Sequence, residues 1–487
     1  MTNRPVVLTI AGSDSAGMAG IAMDLRVLTA LGVHGAVAIT ANTAQDGGGL
    51  AAINPVAADA LDSQLVAARR LQPRVLKTGL LADAAQIARV AAFCVQTGLP
   101  LVCDPVLRSS GGAPLTGDDC TTALREHLLP HCTLLTPNLP EAEALTGIAV
   151  RSAEDVMAAA RALRRLGAGA VLIKGGHRDG TQSRDYFLAE DCGFWLHSPR
   201  QTVANRRGTG CALASSAAAA LARGHACADA VVIGKMAINQ GLRQGYGCGD
   251  VEGPVHIDHF PDDQADLPAL TPGADHEGAA TAFPDCNSPR LGLYPILDSA
   301  DWVARLLPLG VSTLQLRIKN RAGDELAREI GRAVELAREQ GARLFINDHW
   351  ELAMAAGAYG VHLGQEDLDS ADIAALRKAG LRLGISTHCH YEAARAHALR
   401  PSYIACGPVY ETTAKVMPWI PHGLDGLGYW RRVLSAYPLV AIGGISAARV
   451  PGVTAVGVDG VAMISGITQS PDPEATTRQL LELLDHA

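Results

Sequence analysis

The chain has 487 residues, 48% of them apolar and 18% charged, with a net charge of −8 and 11 cysteines. Such a length exceeds one ordinary core and such a composition excludes disorder, so two or three well-buried α/β domains are expected. The acidic balance, with no basic run, gives no electrostatic footprint for nucleic acid, and the scattered cysteines, with no C-x-x-C pair, argue against structural zinc or a disulfide framework and for a reducing compartment.

The first apolar run, Val6–Ala11, is too short for a signal segment and leads directly into Gly12-Ser13-Asp14. No stretch of about 18 apolar residues follows, so a soluble cytoplasmic protein without a membrane span is expected. Apolar runs at 5–11, 33–41, 99–103, 132–136 and 169–174 read as strands. Ala/Leu-rich stretches at 17–31, 82–97, 152–166, 210–223 and 226–243 read as helices. Strands alternating with helices predict a mostly parallel sheet covered on both faces.

Chemistry-bearing strings sit at the junctions. Gly12-Ser13-Asp14-Ser15-Ala16-Gly17 joins the first strand to a helix bearing Asp24, and its glycines let backbone approach a small ligand. Asn138-Leu139-Pro140-Glu141 opens another helix; an amide and a carboxylate at that spacing suit a hydrated Mg²⁺, or simply an acidic first turn. Lys174-Gly175-Gly176-His177 ends a strand and offers a cation to phosphate. Gly208-Thr209-Gly210-Cys211 precedes an apolar helix, so its N–H groups face an anion at a positive helix end. No G-x-x-x-x-G-K-[ST] occurs, which excludes a P-loop kinase.

From about 262 to 289 periodicity stops in a polar, breaker-rich stretch read as a linker, which gives domains over 1–261 and 290–487. Beyond it, about eight strand–helix units follow at a short, steady period. Polar residues close successive apolar runs: Gln315, Arg317 and Lys319, which share one strand face, then Asn347-Asp348, Gln365-Glu366-Asp367, Ser386-Thr387-His388, Lys415, Gly443-Gly444 and Ser465. Polar strand ends in that order are what the active-site face of a parallel (β/α)8 barrel needs. Arg317, Lys319 and Lys415 supply cations for a multiply charged anion, Asp348 and Asp367 are placed to share one Mg²⁺, and the turns after the last two strands suit a phosphate. His349, His362, His388 and His390 read as packing or surface groups. The stretch 411–423 is long and bears Pro and Gly, so a mobile lid is expected.

Over roughly residues 5–258 the strings Leu8-Thr9-Ile10-Ala11-Gly12-Ser13-Asp14, Asp104-Pro105-Val106, Thr136-Pro137-Asn138-Leu139-Pro140-Glu141-Ala142 and Gly208-Thr209-Gly210-Cys211 resemble the hydroxymethylpyrimidine/phosphomethylpyrimidine kinases of the ribokinase-like superfamily. Cys211, where a sugar kinase of that superfamily carries Asp, is the discriminating residue. The resemblance implies a three-layer α/β/α fold and two successive ATP-dependent phosphorylations. Asp24 and Gln45 would hold the aminopyrimidine edge. Gly208, Gly210 and Cys211 would form the anion hole, with Cys211 as base for the substrate hydroxyl and lowered toward thiolate by the helix end. Asp104, Asn138, Glu141 and Lys174 would serve ATP and Mg²⁺. Met18, in place of a glycine, and Arg206-Arg207, in place of Thr-His, depart from the pattern.

Over about 290–485, the strings Gln315-Leu316-Arg317-Ile318-Lys319, Phe345-Ile346-Asn347-Asp348, Gly360-Val361-His362-Leu363-Gly364-Gln365-Glu366-Asp367, Ile385-Ser386-Thr387-His388 and Ala441-Ile442-Gly443-Gly444-Ile445 resemble thiamine phosphate synthase, a TIM barrel. By that resemblance Gln315, Arg317, Lys319, Asn347, Ser386 and Lys415 bind a pyrimidine pyrophosphate. Asp348 and Asp367 bind Mg²⁺, while Thr412, Gly444 and Ser465 face a thiazole phosphate. Ala414 departs from the usual Thr-x-Thr-Lys. Together the resemblances imply a homo-oligomeric, bifunctional enzyme of thiamine biosynthesis acting on small molecules only. Two competing readings are a sensor that has lost catalysis and a pyridoxal or sugar kinase fused to an unrelated phosphate-binding barrel.

Overall fold

Val6–Asp14 is buried along almost its whole length, as an apolar run becomes when helices cover both faces of a parallel sheet. It belongs to the first unit of a computed structural model that describes residues 3–46, 49–108, 115–176, 180–275, 281–288, 290–412 and 420–485. The chain divides into two compact units: Met1–Pro261 with Ala265–Gly278, and Asp262–Gln264 with Ala279–Ala487. No helix among the described residues is long and apolar enough to cross a membrane.

The first unit is one ten-stranded sheet. Its strands are β1 (Val6–Asp14), β2 (His34–Asp46), β3 (Gly49–Pro55), β4 (Val75–Thr78), β5 (Leu101–Cys103), β6 (Leu134–Leu135), β7 (Val171–Ile173), β8 (Gln182–Leu188), β9 (Gly193–Pro199) and β10 (Ala269–Thr271). They lie in the order β10-β9-β8-β7-β6-β5-β4-β1-β2-β3. β2-β1-β4-β5-β6-β7 is parallel, and antiparallel strands extend it at both edges. This is the expected ribokinase-like α/β/α arrangement. The expected strands and helices are present, but β3, β4 and the β8–β9 hairpin were not read from the sequence, and β10 falls inside the stretch read as a linker. The reason for β10 is local. Asp266 is fully buried, its carboxylate takes Arg243 and its carbonyl takes the Asn239 amide at 2.8 Å, which ties the polar segment to the Cys227–Arg243 helix.

The Thr209–Ala222 and Cys227–Arg243 helices are buried almost all round, as helices apolar on every face must be. Just after the first of them, burial and the neighbouring Arg223 push the His225 imidazole from 6.5 down to about 4. The unfolded chain therefore takes up this proton before the folded one does, and the unit loses stability as pH falls from about 6.5 to about 4. Urea midpoints measured across that window should show a shallower slope for His225→Gln; an identical slope would remove the assignment.

The second unit is a closed barrel of eight parallel strands: β11 (Gly292–Leu297), β12 (Thr313–Leu316), β13 (Arg343–Asn347), β14 (Gly360–Leu363), β15 (Arg382–Thr387), β16 (Tyr403–Cys406), β17 (Leu439–Ala441) and β18 (Gly460–Met463). β11 pairs with β18 to close it. Aromatic side chains fill the interior: the Tyr403 ring lies 5.8 Å from Tyr294 and 5.0 Å from Phe345. Room for Tyr403 comes from Gly384 on the adjacent strand, because a Cβ there would overlap the tyrosine ring.

Candidate active sites

In the first unit the Gly208 turn has φ 78° and opens the Thr209–Ala222 helix with no side-chain cap, so the first helical N–H groups are left for a ligand. A side chain at 208 would overlap the Met18 carbonyl, which ties the turn to the loop after β1. That loop is shaped by Asp14, whose carboxylate accepts from the backbone N–H groups of Ala16, Met18 and Ala19 at 2.8–2.9 Å.

Across the turn, Lys174 Nζ meets Asp104 Oδ1 at 2.8 Å, and the Gly210 Cβ position lies 3.5 Å from both Lys174 Nζ and Asp104 Oδ2. Burial works against the Lys174 ammonium, but Asp104 and then Glu141 more than offset it, so it stays charged. Burial also pushes the Glu141 carboxyl up to about 7, opposed by Lys174 and aided by Asp104. Gly208, Gly210, Asp104, Glu141 and Lys174 are therefore one cluster.

Three expectations change. Asn138 Oδ1 accepts from the Glu141 N–H at 2.9 Å, and Glu141 Oε2 accepts from the Asn138 N–H at 2.8 Å. Asn138 is thus a helix cap, its side-chain oxygen turned to the helix rather than to a metal. Asp24 does not reach a substrate edge. It is fully buried, and its carboxylate accepts from Lys77 at 2.8 and 2.9 Å, Thr9 at 2.6 Å and Ser215 at 2.8 Å.

Cys211 stands one turn from Ser215 on the same helix face and is enclosed on most sides. Burial pushes its thiol up to about 11 although Lys77 pulls the other way, so a resting thiolate is not found. Arg206 is exposed and paired with Glu252 at 2.9 Å. Gln45 stays at the rim, its backbone exchanging hydrogen bonds with the Ser15 hydroxyl at 2.7 and 2.9 Å.

In the barrel the expected residues gather at the C-terminal ends of β12 to β18. Gln315 and Asn347 are buried at the strand ends, while Arg317 and Lys319 follow β12. Lys319 Nζ bonds Asp348 Oδ2, and Asp348 holds a left-handed φ of 62°, a strain typical of sites where a side chain must be aimed. Burial opposes ionisation of Asp348, yet Lys319 keeps its carboxyl below the ordinary range; burial and Asp348 together raise Asp367. The two carboxylates are close enough to hydrogen-bond.

A facing carboxylate pair already holding an ammonium fits a hard divalent cation such as Mg²⁺. Among the described residues no group of three His, Cys, Asp or Glu side chains could hold a metal alone, so phosphate and water oxygens would complete the shell. The Ser386 hydroxyl lies 2.8 Å from His362 Nε2, and its carbonyl accepts from the Gln365 amide at 2.7 Å. Gly444 abuts Tyr410 and Glu411, just before Thr412, and Ser465 opens a short exposed turn after β18. Lys415 and Ala414 lie outside the described residues.

His388 pairs with Glu392 at 2.8 Å, His390 with Tyr429 at 2.7 Å, and His349 faces the Ile318 carbonyl, as packing residues do. His362 is different: it reaches the site through Ser386. With Lys77, Tyr294 and Tyr403 it is what sequence reasoning missed. The available signal was a polar or charged residue inside a short apolar run, as in Val75-Leu76-Lys77-Thr78 and Gly360-Val361-His362-Leu363.

Fold and sites together define a bifunctional transferase, with a ribokinase-like kinase unit and a phosphate-binding parallel barrel. The phosphomethylpyrimidine kinase family profile matches residues 14–256, and that of thiamine monophosphate synthase matches 293–467. The thiamine-phosphate synthase of Serratia proteamaculans is 54% identical over 205 residues, 42% of this chain and 96% of its own, and that of Yersinia pestis is 54% identical over 207 residues, again 42% and 96%. The pyridoxal kinase of Staphylococcus aureus, solved with AMP-PCP and pyridoxal, superposes with a TM-score of 0.51 at 30% identity, covering 55% of this chain and 98% of its own. The chain belongs to the phosphomethylpyrimidine kinase family through its first unit and to the thiamine-phosphate synthase family through its barrel.

Proposed function

We propose that the first unit phosphorylates 4-amino-5-hydroxymethyl-2-methylpyrimidine and then its monophosphate with ATP, and that the barrel joins the resulting pyrophosphate to 4-methyl-5-(2-phosphoethyl)thiazole. The protein is then a cytoplasmic enzyme of thiamine biosynthesis, self-associating, that takes small molecules alone. The observation that carries the reading is the pair of clusters. One sets Lys174 and Asp104 beside an open helix end; the other sets Arg317, Lys319, Asp348, Asp367 and Ser386 around one barrel mouth.

In the kinase step the substrate oxygen attacks the γ-phosphorus of ATP while the bond to the β-phosphate oxygen breaks. Lys174 and the Gly208–Cys211 N–H groups offset charge on the transferring group, and Asp104 and Glu141 would hold Mg²⁺. The transition state of such transfers is loose and asks little of a base, so a thiol at Cys211 is adequate to orient the hydroxyl, whose proton passes late to an oxygen of the transferred phosphoryl group.

In the barrel the bond between the pyrimidine methylene carbon and oxygen breaks first, its electron pair leaving with pyrophosphate. The thiazole nitrogen then closes the C–N bond. Arg317, Lys319 and Lys415 hold the departing anion, and Ser386 donates to it. Mg²⁺ held by Asp348 and Asp367 would neutralise part of its charge. Thr412, Gly444 and Ser465 orient the thiazole phosphate, and Gln315 and Asn347 the pyrimidine; Gln45 fixes the ring in the kinase.

Phosphorus NMR of the purified chain with the pyrimidine alcohol, ATP and Mg²⁺ tests the first half. A monophosphate followed by a pyrophosphate ester is expected. Phosphorylation of pyridoxal alone would overturn it in favour of the activity named for the Staphylococcus aureus protein.

A further inference from the structure

Beneath the barrel mouth, side chains from five strands form a single file of hydrogen bonds. Gln315 Nε2 lies 3.4 Å from the Tyr294 hydroxyl, Tyr294 OH 2.7 Å from Tyr403 OH, Tyr403 OH 2.6 Å from His362 Nδ1, and His362 Nε2 2.8 Å from Ser386 Oγ. Gln315, Tyr294, Tyr403 and His362 are all buried, and Ser386, at the upper end, is partly exposed.

The file has a direction. An amide nitrogen can only donate, so the Tyr294 oxygen accepts from it, and the acceptor left in the file for the Tyr294 proton is Tyr403. Tyr403 then donates to Nδ1. With the tyrosine proton directed onto it, Nδ1 carries none of its own, so the imidazole is neutral and has one N–H. With Nδ1 accepting, that N–H is on Nε2 and points at Ser386 Oγ. The serine proton is left to face the site. Reversed polarity would turn the serine proton onto His362 and present only lone pairs to a pyrophosphate, which itself has only acceptors.

We propose that Tyr294, Tyr403 and His362 are positioning residues that fix the Nε2–H tautomer and thereby make the Ser386 hydroxyl a committed donor to the pyrophosphate ester. This rests on the reading of Ser386 as a ligand of that ester. Losing a committed hydrogen bond to a charged group corresponds to a loss of about tenfold to a hundredfold in kcat/KM.

The test is a double-mutant cycle on the full chain, assaying the synthase step with supplied pyrimidine pyrophosphate. Tyr403→Phe alone should lower kcat/KM by about tenfold or more, and should add nothing in a Ser386→Ala background. Imidazole nitrogen chemical shifts, assigned by their loss in His362→Gln, should show Nδ1 unprotonated in the parent and a tautomer mixture in Tyr403→Phe. Tyr294→Phe, one link further away, gives the same pattern if Tyr403→Phe folds poorly. Losses that add in the double variant, or a parent protonated at Nδ1, would overturn the relay while leaving Ser386 a ligand. An unaltered Ser386→Ala rate would instead overturn the reading of Ser386, and the relay with it.

Discussion

Replacing Lys77 by methionine should lower the stability of the first unit by about 3–5 kcal/mol, the usual consequence of leaving one partner of a buried ion pair alone. Both Lys77 and Asp24 have no exposed side-chain surface. Asp24 would keep its bonds from Thr9 and Ser215 but lose the only ammonium they share it with among the described residues. Burial alone would lower the Lys77 pKa, yet Asp24 raises it well above the ordinary value, so the ammonium stays charged at every physiological pH. The double variant Lys77→Met/Asp24→Asn should recover much of the loss, because no unpaired charge remains inside. Hydrogen exchange of the β1 and β4 amides reads this unit apart from the barrel. A loss under about 1 kcal/mol in the single variant would mean water or a shifted side chain compensates, contrary to the geometry.

Lys174→Met should cut the kinase rate by about a hundredfold to a thousandfold, the range found when one preorganised donor to a developing anion is removed. The synthase step, measured from supplied pyrimidine pyrophosphate, should not change. Lys174 is the ammonium within 3.5 Å of the Gly210 Cβ position, at the open end of the Thr209–Ala222 helix. Asp104 holds it at 2.8 Å. Initial rates with saturating ATP separate a lost kcat from weakened ATP binding. A fall confined to KM for ATP would assign Lys174 to ground-state binding only.

The barrel site could be read from the chain because a strand exposes every second residue and a parallel barrel gathers all its strand ends on one face. Gln315, Arg317 and Lys319, then Asn347-Asp348, then Asp367 and Ser386, each carry their position in the local pattern. The partners beneath them do not. Tyr294 and Tyr403 are 109 residues apart, and each alone looks like one more aromatic in a buried strand. The need for Gly384 beside Tyr403 is likewise visible only once β15 and β16 pair.

In the first unit the glycine turn and the Lys174 strand end were legible for the same reason, while Asp104 came only from the resemblance. Asp24 was misread as a substrate contact, since nothing local to its helix reveals that Lys77, from β4, consumes it. Cys211 was expected to be acidic on the strength of the helix end. Enclosure outweighs that dipole, and enclosure is a property of the tertiary fold. Of the antiparallel strands, β3 and β10 had the weakest signals: they are the two edges of the sheet, exposed or partly exposed along much of their length, and their order comes from pairing rather than from composition.

The most direct test of two working sites on one chain is a complementation assay with Lys174→Met and Asp348→Asn proteins, each given the pyrimidine alcohol, ATP, Mg²⁺ and thiazole phosphate. The parent chain should form thiamine phosphate. Lys174→Met should form it only when pyrimidine pyrophosphate is supplied, Asp348→Asn should accumulate that pyrophosphate, and a mixture of the two should restore the product. Failure of the parent to make thiamine phosphate even from supplied pyrimidine pyrophosphate, or failure of the mixture to restore it, would contradict the account.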